Sequence, residues 1–467
     1  MNEPAAPVRQ TPAAAARHGR APAARAVLAA VVVVVALSAA VRFVNLGEYR
    51  TFVFDEHYYA HDAGVIVHGD LGPREPAPWK PGAARSLAHP ELGTLAIAAG
   101  VEALGNGPWG WRVPSAIAGT LLIALVYPLA RRLGLTPRWA LVALVLAAAD
   151  TMLMTESRIG VLDPFVALWS AVCIYCALRF VQSGRPARWL VLTGLAGGLA
   201  VASKWSGLLA LACLVALPLA VYLASYADYF ASGHTLGQWL HLQRYMATFN
   251  WNVRGTSGMA SRPLTWIFDA TPIWYRWALG PHGDVVGLIA IGNPFLFWGS
   301  IVAFIAVVWL AVRQRELAGT APALLLACLY LPWLATSRES YIYYLTPAIP
   351  FLAILVAGAL ARLVADRPLP RGRAALCGVA GAVFVGLAAG GGTPLRLAAL
   401  ATLVAVVAAA TLVGRERAAA RTRLPALAAW VYVGAVVGLA VAWLPFIVSQ
   451  AAPYTYYARL AWLTSWR

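Results

Sequence analysis

Along the chain, apolar runs of about twenty residues alternate with short polar segments. The runs lie near 26–41, 111–130, 138–155, 161–181, 188–203, 206–225, 286–312, 320–336, 341–364, 374–390, 395–413 and 425–448. A helix of that length crosses a hydrocarbon core of about 30 Å. The two-residue alternation of a β-barrel strand is missing, and open strands leave their backbone unsatisfied in lipid. The pattern predicts an all-α polytopic membrane protein, a helical bundle of about 11 to 13 spans.

Two long polar stretches break the rhythm. Residues 44–110 are rich in Pro, Trp and His, and residues 226–285 are dense in aromatics. They divide the chain into four parts. An Ala/Pro/Arg-rich N-terminus over 1–25 is expected to be disordered and cytoplasmic. A membrane half over 26–225 carries the 44–110 loop. The 226–285 loop follows. A second membrane half over 286–467 ends in the aromatic tail "SQAAPYTYYARLAWLTSWR", suited to a membrane interface. The first run resembles a secretory signal, with "ALSAA" as a passable cleavage site. An uncleaved span is the preferred reading, because the acidic stretch that follows needs anchoring.

Composition strengthens this picture. The chain is 61% hydrophobic and 12% charged, against roughly 25% charged in a soluble domain. The net charge of +17 does not point to nucleic acid. Its basic residues fall in short blocks between apolar runs: "RRLGLTPR" (131–138), "SGRPAR" (183–188), "RQRE" (313–316), "DRPLPRGR" (366–373) and "GRERAAARTR" (414–423). Such blocks mark the cytoplasmic side. Counting from them places 44–110, 156–160, 203–205, 226–285 and the tail outside. That count requires two spans between Lys204 and Tyr226, where one apolar run is visible. A shortened or re-entrant pair within 206–225 satisfies it, as does one basic block on the other side. All five cysteines (Cys173, Cys176, Cys213, Cys328 and Cys377) lie in apolar runs, which favours packing over metal or redox work.

Against this background "FVFDEHYYAHDA" (52–63) stands out. Three carboxylates (Asp55, Glu56, Asp62) and two histidines (His57, His61) crowd eight positions just outside the first span. Other polar clusters fall on the same side: "AHPELG" (88–93), "ESRIGVLD" (156–163), "SKWSG" (203–207) and "SRESYIYY" (337–344). Charges at membrane depth are costly and mark sites or pathways. No Walker loop or DxD triplet occurs, so an outer-face transferase would draw on a donor already in the membrane, such as a polyprenyl-phosphate sugar.

That chemistry needs a carboxylate within about 3 Å of an acceptor hydroxyl, and cations to hold the leaving phosphate. Asp55 or Glu56 serves as base. Neighbours on a helix diverge by about 100°, so the two have different roles. Arg158, Lys204 and Arg338 are candidate phosphate holders. The bland alternatives are that Arg158 pairs with Glu156 or Asp163, Lys204 snorkels, and Arg338 caps a span beside Glu339. His57 and His61, spaced i, i+4 beside Asp55 and Asp62, suit a divalent cation. A solvated, hydrogen-bonding loop helix is the preferred reading, since no further His/Cys constellation is fixed by spacing.

The stretch "VFDEHYYAHDA" resembles the first-loop signature of the bacterial protein O-mannosyltransferase family. "HPELG", "GWRVPSAIAGT", "ESRIGVLDPF", "KWSGL", "GNPFLFW" and "YIYYLTPAIPFL" resemble further motifs of that family, in order, from about residue 40 to the end. The resemblance implies a GT-C glycosyltransferase fold with a cytoplasmic N-terminus and an external catalytic loop. It implies inverting transfer of mannose from polyprenyl-phosphate mannose to Ser or Thr of secreted or membrane proteins; an acceptor emerging from the secretion channel is a further expectation. It makes Asp55 the base, Glu56 a positioner of acceptor or donor, and Arg158 a ligand of the lipid phosphate. Further candidate substrate contacts among the outer-face clusters are His57, Tyr58, His61, Asp62, His89, Glu91, Asp163, Trp205, Asn293, Tyr343 and Tyr344. Glu91 and Thr94 depart from the family's Pro and Lys, and His57 and His61 from its usual small apolar residue and Lys. A second reading keeps the fold and the lipid-linked donor but changes the acceptor to a glycolipid or cell-wall glycan. A transporter predicts polar residues strung through mid-span, where this chain gathers them at one face.

Overall fold

In the computed structural model the described residues are 12–68, 88–210, 221–252, 258–280, 283–314, 319–336, 338–364 and 424–466. The expected spans at 374–390 and 395–413, half of 206–225 (residues 211–220), two of the basic blocks, and Cys213 and Cys377 lie outside them. Six helices are long and apolar enough to cross a membrane, and four shorter apolar helices accompany them. The protein is a multi-pass membrane protein.

Helix α1 (Pro12–Phe43) begins well before the expected first span, within the segment expected to be disordered. After it come α2 (Glu56–His68), α3 (Leu92–Leu104), α4 (Pro108–Arg132), α5 (Pro137–Ala148), α6 (Thr151–Glu156), α7 (Asp163–Gln182) and α8 (Ala187–Ser203). Pro opens α4 and α5, where its missing N–H costs nothing. The apolar run 138–155 breaks because Asp150 caps a new helix: its Oδ1 accepts the Leu153 N–H at 2.8 Å.

The C-terminal half holds α9 (Leu236–Asn252), α10 (Pro294–Gln314), α11 (Thr320–Tyr330), α12 (Ile349–Val364) and α13 (Leu424–Ile447). A 3₁₀ segment, Ile342–Ala348, leads into α12. In the 18-residue apolar window of 342–362, 89% of the residues are buried, against 11% in that of 25–43. Residues apolar on all sides therefore serve two purposes: α12 is the central packing helix, and α1 turns most of its surface to lipid.

The expectation of an all-α chain misses one element. Strands β1 (Ile273–Leu279), β2 (Asp284–Ala290) and β3 (Ala452–Pro453) form an antiparallel sheet in the order β1-β2-β3. The run expected as a span from 286 begins as β2, and α10 starts only at Pro294. "IWYRWAL" and "DVVGLIA" are rich in aromatic and β-branched residues, which suit a pleated, half-buried surface. The sheet packs on the bundle through α6: Thr155 Oγ1 donates to the Ile289 carbonyl at 2.9 Å, and Thr151 Oγ1 donates to that of Ile291.

Candidate active site

The site forms where the 44–55 loop, the α6–α7 corner, the end of α8 and the 338–344 segment meet. Its geometry separates Asp55 from Glu56. Glu56 opens α2 and is fully buried. Its Oε1 accepts Arg112 Nε at 2.7 Å and the Gly160 N–H at 2.8 Å. Its Oε2 accepts Arg112 Nη2 at 2.9 Å and the Val53 N–H at 2.9 Å. Arg112 Nη1 also donates to the carbonyls of Leu46 and Tyr49, at 3.0 and 2.9 Å. This forked pair clamps the loop to α4 and to the α6–α7 corner. Gly160 permits the approach, since a Cβ there would lie 2.8 Å from the Trp111 carbonyl oxygen. Both carboxylate oxygens of Glu56 are occupied, which does not suit the chemical step expected of it.

Asp55 is the opposite case. It is half-buried, and among the described residues its carboxylate has one side-chain hydrogen bond, from the Tyr343 hydroxyl at 3.4 Å. Burial pushes its pKa up to about 6; Lys204 opposes the rise and Asp163 adds to it. The preceding Phe54 has φ +47°, the left-handed region that costs a bulky residue roughly 1–3 kcal/mol. The rings of Tyr275, Tyr341 and Tyr343 surround it, with centroids at 4.9, 6.1 and 6.0 Å. The aromatic cage holds the turn that presents Asp55.

Lys204, at the end of α8, bonds both oxygens of Asp163 at 3.1 and 2.9 Å, and both residues are buried. Its ammonium also lies over Tyr343 and Tyr344, at 5.3 and 4.9 Å from the ring centres. Burial opposes this charge, yet Asp163 and its other neighbours raise the pKa overall. A cavity of about 350 Å³ opens beside it, bordered by His89, Lys204, Trp205, Trp333, Arg338 and Tyr344 among others. Arg338 is half-buried and held by Asn250 Oδ1 at 3.1 Å and the Tyr344 hydroxyl at 3.0 Å. Burial, followed by the charges of Lys204 and Arg338, holds the His89 imidazole well below its usual pKa. The cavity is therefore cationic at one end and aromatic along its walls, which suits a phosphate attached to an apolar chain.

Arg158 is not brought to this cavity. It is buried and donates to the carbonyls of Val41, Arg42 and Val44, at 2.9 Å to Arg42 and 2.6 Å to Val44. Those are the free carbonyls at the end of α1, so Arg158 caps that helix. Asn293 is likewise structural: its Nδ2 donates to the carbonyls of Ala149 and Val436, at 3.1 and 2.9 Å. His57 is exposed and packs on Phe52. His61 bonds Asp62 at 3.3 Å, and that bond raises its pKa. Among the described residues no group of three or more His, Cys, Asp or Glu could hold a metal ion. Tyr58 and Asp62 stay on α2, and Glu91 is buried before α3. Trp205 lines the cavity and donates to the Tyr222 hydroxyl at 2.8 Å.

Sequence reading met Arg112 only within the motif "GWRVPSAIAGT" and gave no site role to it, nor to Asn250, Trp333 or Tyr275. For Arg112 a signal existed: an arginine opening an apolar run demands a buried anion. The other three lie in aromatic or amide-rich segments with no periodic mark.

A helical membrane bundle with a lightly bonded carboxylate beside a cationic cavity is an arrangement that suits a membrane glycosyltransferase of the GT-C fold. Comparison with known proteins agrees. A family model described as dolichyl-phosphate-mannose-protein mannosyltransferase matches residues 85–251. The polyprenol-phosphate-mannose–protein mannosyltransferases of Corynebacterium glutamicum and Mycolicibacterium smegmatis are 25% and 26% identical to this chain. The matches cover 67% and 70% of this chain, and 78% and 80% of those relatives. An undecaprenyl phosphate-α-4-amino-4-deoxy-L-arabinose arabinosyl transferase of Pseudomonas aeruginosa is 37% identical over 29% of this chain and 25% of its own length. Among solved structures, the Saccharomyces cerevisiae protein O-mannosyltransferase complex bound to its sugar donor has a TM-score of 0.68 at 13% identity. That match covers 94% of this chain and 92% of the other. ArnT from Cupriavidus metallidurans bound to undecaprenyl phosphate has a TM-score of 0.55 at 20% identity, covering 90% and 77%. The chain is a relative of the polyprenol-phosphate-mannose–protein mannosyltransferases, as its motifs suggest, and shares the GT-C fold.

Proposed function

We propose that this protein is an inverting glycosyltransferase of a bacterial plasma membrane, working at the extracytoplasmic face. It moves mannose from polyprenyl-phosphate mannose to Ser or Thr hydroxyls of secreted or membrane proteins. The observation that carries this reading is the pairing of a lightly hydrogen-bonded Asp55 with the Lys204–Arg338 cavity. Asp55 takes the proton of the acceptor hydroxyl, whose oxygen attacks the anomeric carbon. The bond from that carbon to the phosphate oxygen breaks, and the electron pair leaves on polyprenyl phosphate. Lys204 and Arg338 stabilise the charge that grows on the phosphate, while Trp205, Trp333 and Tyr344 supply apolar walls for the first part of the lipid. Neutral His89 is a hydrogen-bonding contact at the same end. Glu56, Arg112 and Arg158 position the loop and do not touch substrate. The acceptor is expected to be an extended chain leaving the secretion channel.

A second reading, with a glycolipid or cell-wall acceptor, is favoured by the higher local identity to the arabinosyl transferase. Membranes carrying the protein are given polyprenyl-phosphate mannose with either a Ser/Thr-rich peptide or a glycolipid extract. Mannosylated peptide supports the first reading, and labelled lipid alone supports the second. No transfer to either rejects mannose as the sugar.

A further inference from the structure

Three carboxyls crowd the wall behind the site: Asp55, Asp163 and Glu156. One ammonium faces them, and it is committed to Asp163 at 3.1 and 2.9 Å. Glu156 ends α6 and is 1% exposed. Among the described residues its carboxyl takes part in no ion pair. Its Oε1 accepts the Tyr275 hydroxyl, and its Oε2 is buried with no hydrogen-bond partner among those residues. An ionised carboxylate so placed would be a buried charge without compensation, which proteins avoid by holding the proton. The titratable groups facing Glu156 are Asp163 from α7, Lys204 from the end of α8, Tyr275 from β1 and Asp55 from the turn before α2.

Tyr275 is the link to the reacting end. It sits at the irregularity between Trp274 and Arg276 in the β1–β2 register, a bulge of the kind that re-aims a side chain. Its ring meets Phe54 edge-on at 4.9 Å, directly before Asp55. The hydroxyl on Glu156 fixes that ring from one side, and the Thr155 bond to Ile289 fixes α6 against the sheet.

We propose that Glu156 is a neutral carboxylic acid and, with Tyr275, a positioning pair for Asp55. Its retained proton keeps a further negative charge out of the wall. Its hydrogen bond orients the ring that braces the Phe54–Asp55 turn. The positioning role rests on the reading of Asp55 as the base; the neutral state of Glu156 does not.

Two measurements on purified protein test it. Infrared difference spectra at neutral pH are expected to contain a protonated-carboxyl C=O band. That band disappears in Glu156→Gln and moves to higher frequency in Tyr275→Phe, which removes the hydrogen bond to that oxygen. In transfer assays Glu156→Gln is expected to keep kcat/KM within about threefold and leave its acid limb unmoved, while Tyr275→Phe lowers kcat about tenfold at unchanged donor KM. A band identical in wild type, Glu156→Gln and Tyr275→Phe would overturn the proposal. So would an acid limb displaced downward by about one pH unit in Glu156→Gln, because the wild-type residue would then be ionised. Should the wild type transfer no sugar, the functional reading fails, and the infrared band still decides the state of Glu156.

Discussion

Two clusters of charge lie on either side of Asp55, and they differ in what is left over. In the cluster of Glu56, Arg112 and Arg158, backbone carbonyls, backbone N–H groups and the forked pair take up both oxygens of Glu56 and most of the guanidinium donors. In the cluster of Lys204, Arg338 and His89, the charges border a cavity of about 350 Å³, and the buried His89 Nδ1 has no partner among the described residues. Both groups are cationic, and both lie near the acidic loop. A buried charge whose hydrogen-bonding positions are filled from within holds the fold, whereas one that faces open space can act on a ligand.

The largest expected effect breaks the reacting end itself. Asp55→Asn should reduce mannosyl transfer by about 10³-fold, within the range for losing a general base. It should not reduce thermal stability. The folded pKa of Asp55, about 6, lies above its ordinary value of 3.8. The native state therefore binds this proton more tightly than the unfolded chain, and ionisation costs stability as pH rises through 6. A neutral Asn removes that cost at neutral pH, which melting in detergent would register as an unchanged or higher Tm.

The filled cluster should respond in the other currency. Arg112→Met leaves Glu56 buried and unpaired, a loss of about 3–5 kcal/mol, visible as a lower Tm and poor recovery from membranes. Arg338→Gln should raise donor KM roughly tenfold to a hundredfold with a smaller fall in kcat and little change in Tm. The pH profile sharpens the same contrast. Since the base works ionised and its pKa is raised to about 6, kcat/KM should be flat above pH 6 and fall about tenfold per unit below it. A fall that begins only near pH 4 would place the base elsewhere. His57→Ala, on an exposed ring, should change stability by no more than about 0.5 kcal/mol and leave transfer unaffected by chelators or added divalent ions.

Much of this was legible in the chain. Runs of apolar residues specify helices in lipid, and the crowding of polar residues at span ends marks the end of the bundle at which Asp55, Lys204 and Arg338 meet. The β1–β2 pair was hidden because "DVVGLIA" is as apolar as the span it adjoins, and periodicity does not separate a short buried strand from a helix. The roles of Glu56 and Arg158 were hidden for a different reason. A residue's type and side of the membrane do not say whether its hydrogen bonds are already filled. That depends on Arg112, on the Gly160 N–H and on the end of α1, all distant in sequence from at least one partner.

The most direct test places the two adjacent carboxylates side by side. Asp55→Asn and Glu56→Gln are purified and each is measured for Tm and for mannosyl transfer per folded molecule. The account predicts that Asp55→Asn melts no lower than wild type and transfers sugar about 10³-fold more slowly. Glu56→Gln, whose new amide faces the donors of Arg112, Val53 and Gly160, should melt lower and keep most of its activity per folded molecule. A Glu56→Gln protein with wild-type Tm and no transfer would contradict it, and would make Glu56 the residue that meets the substrate.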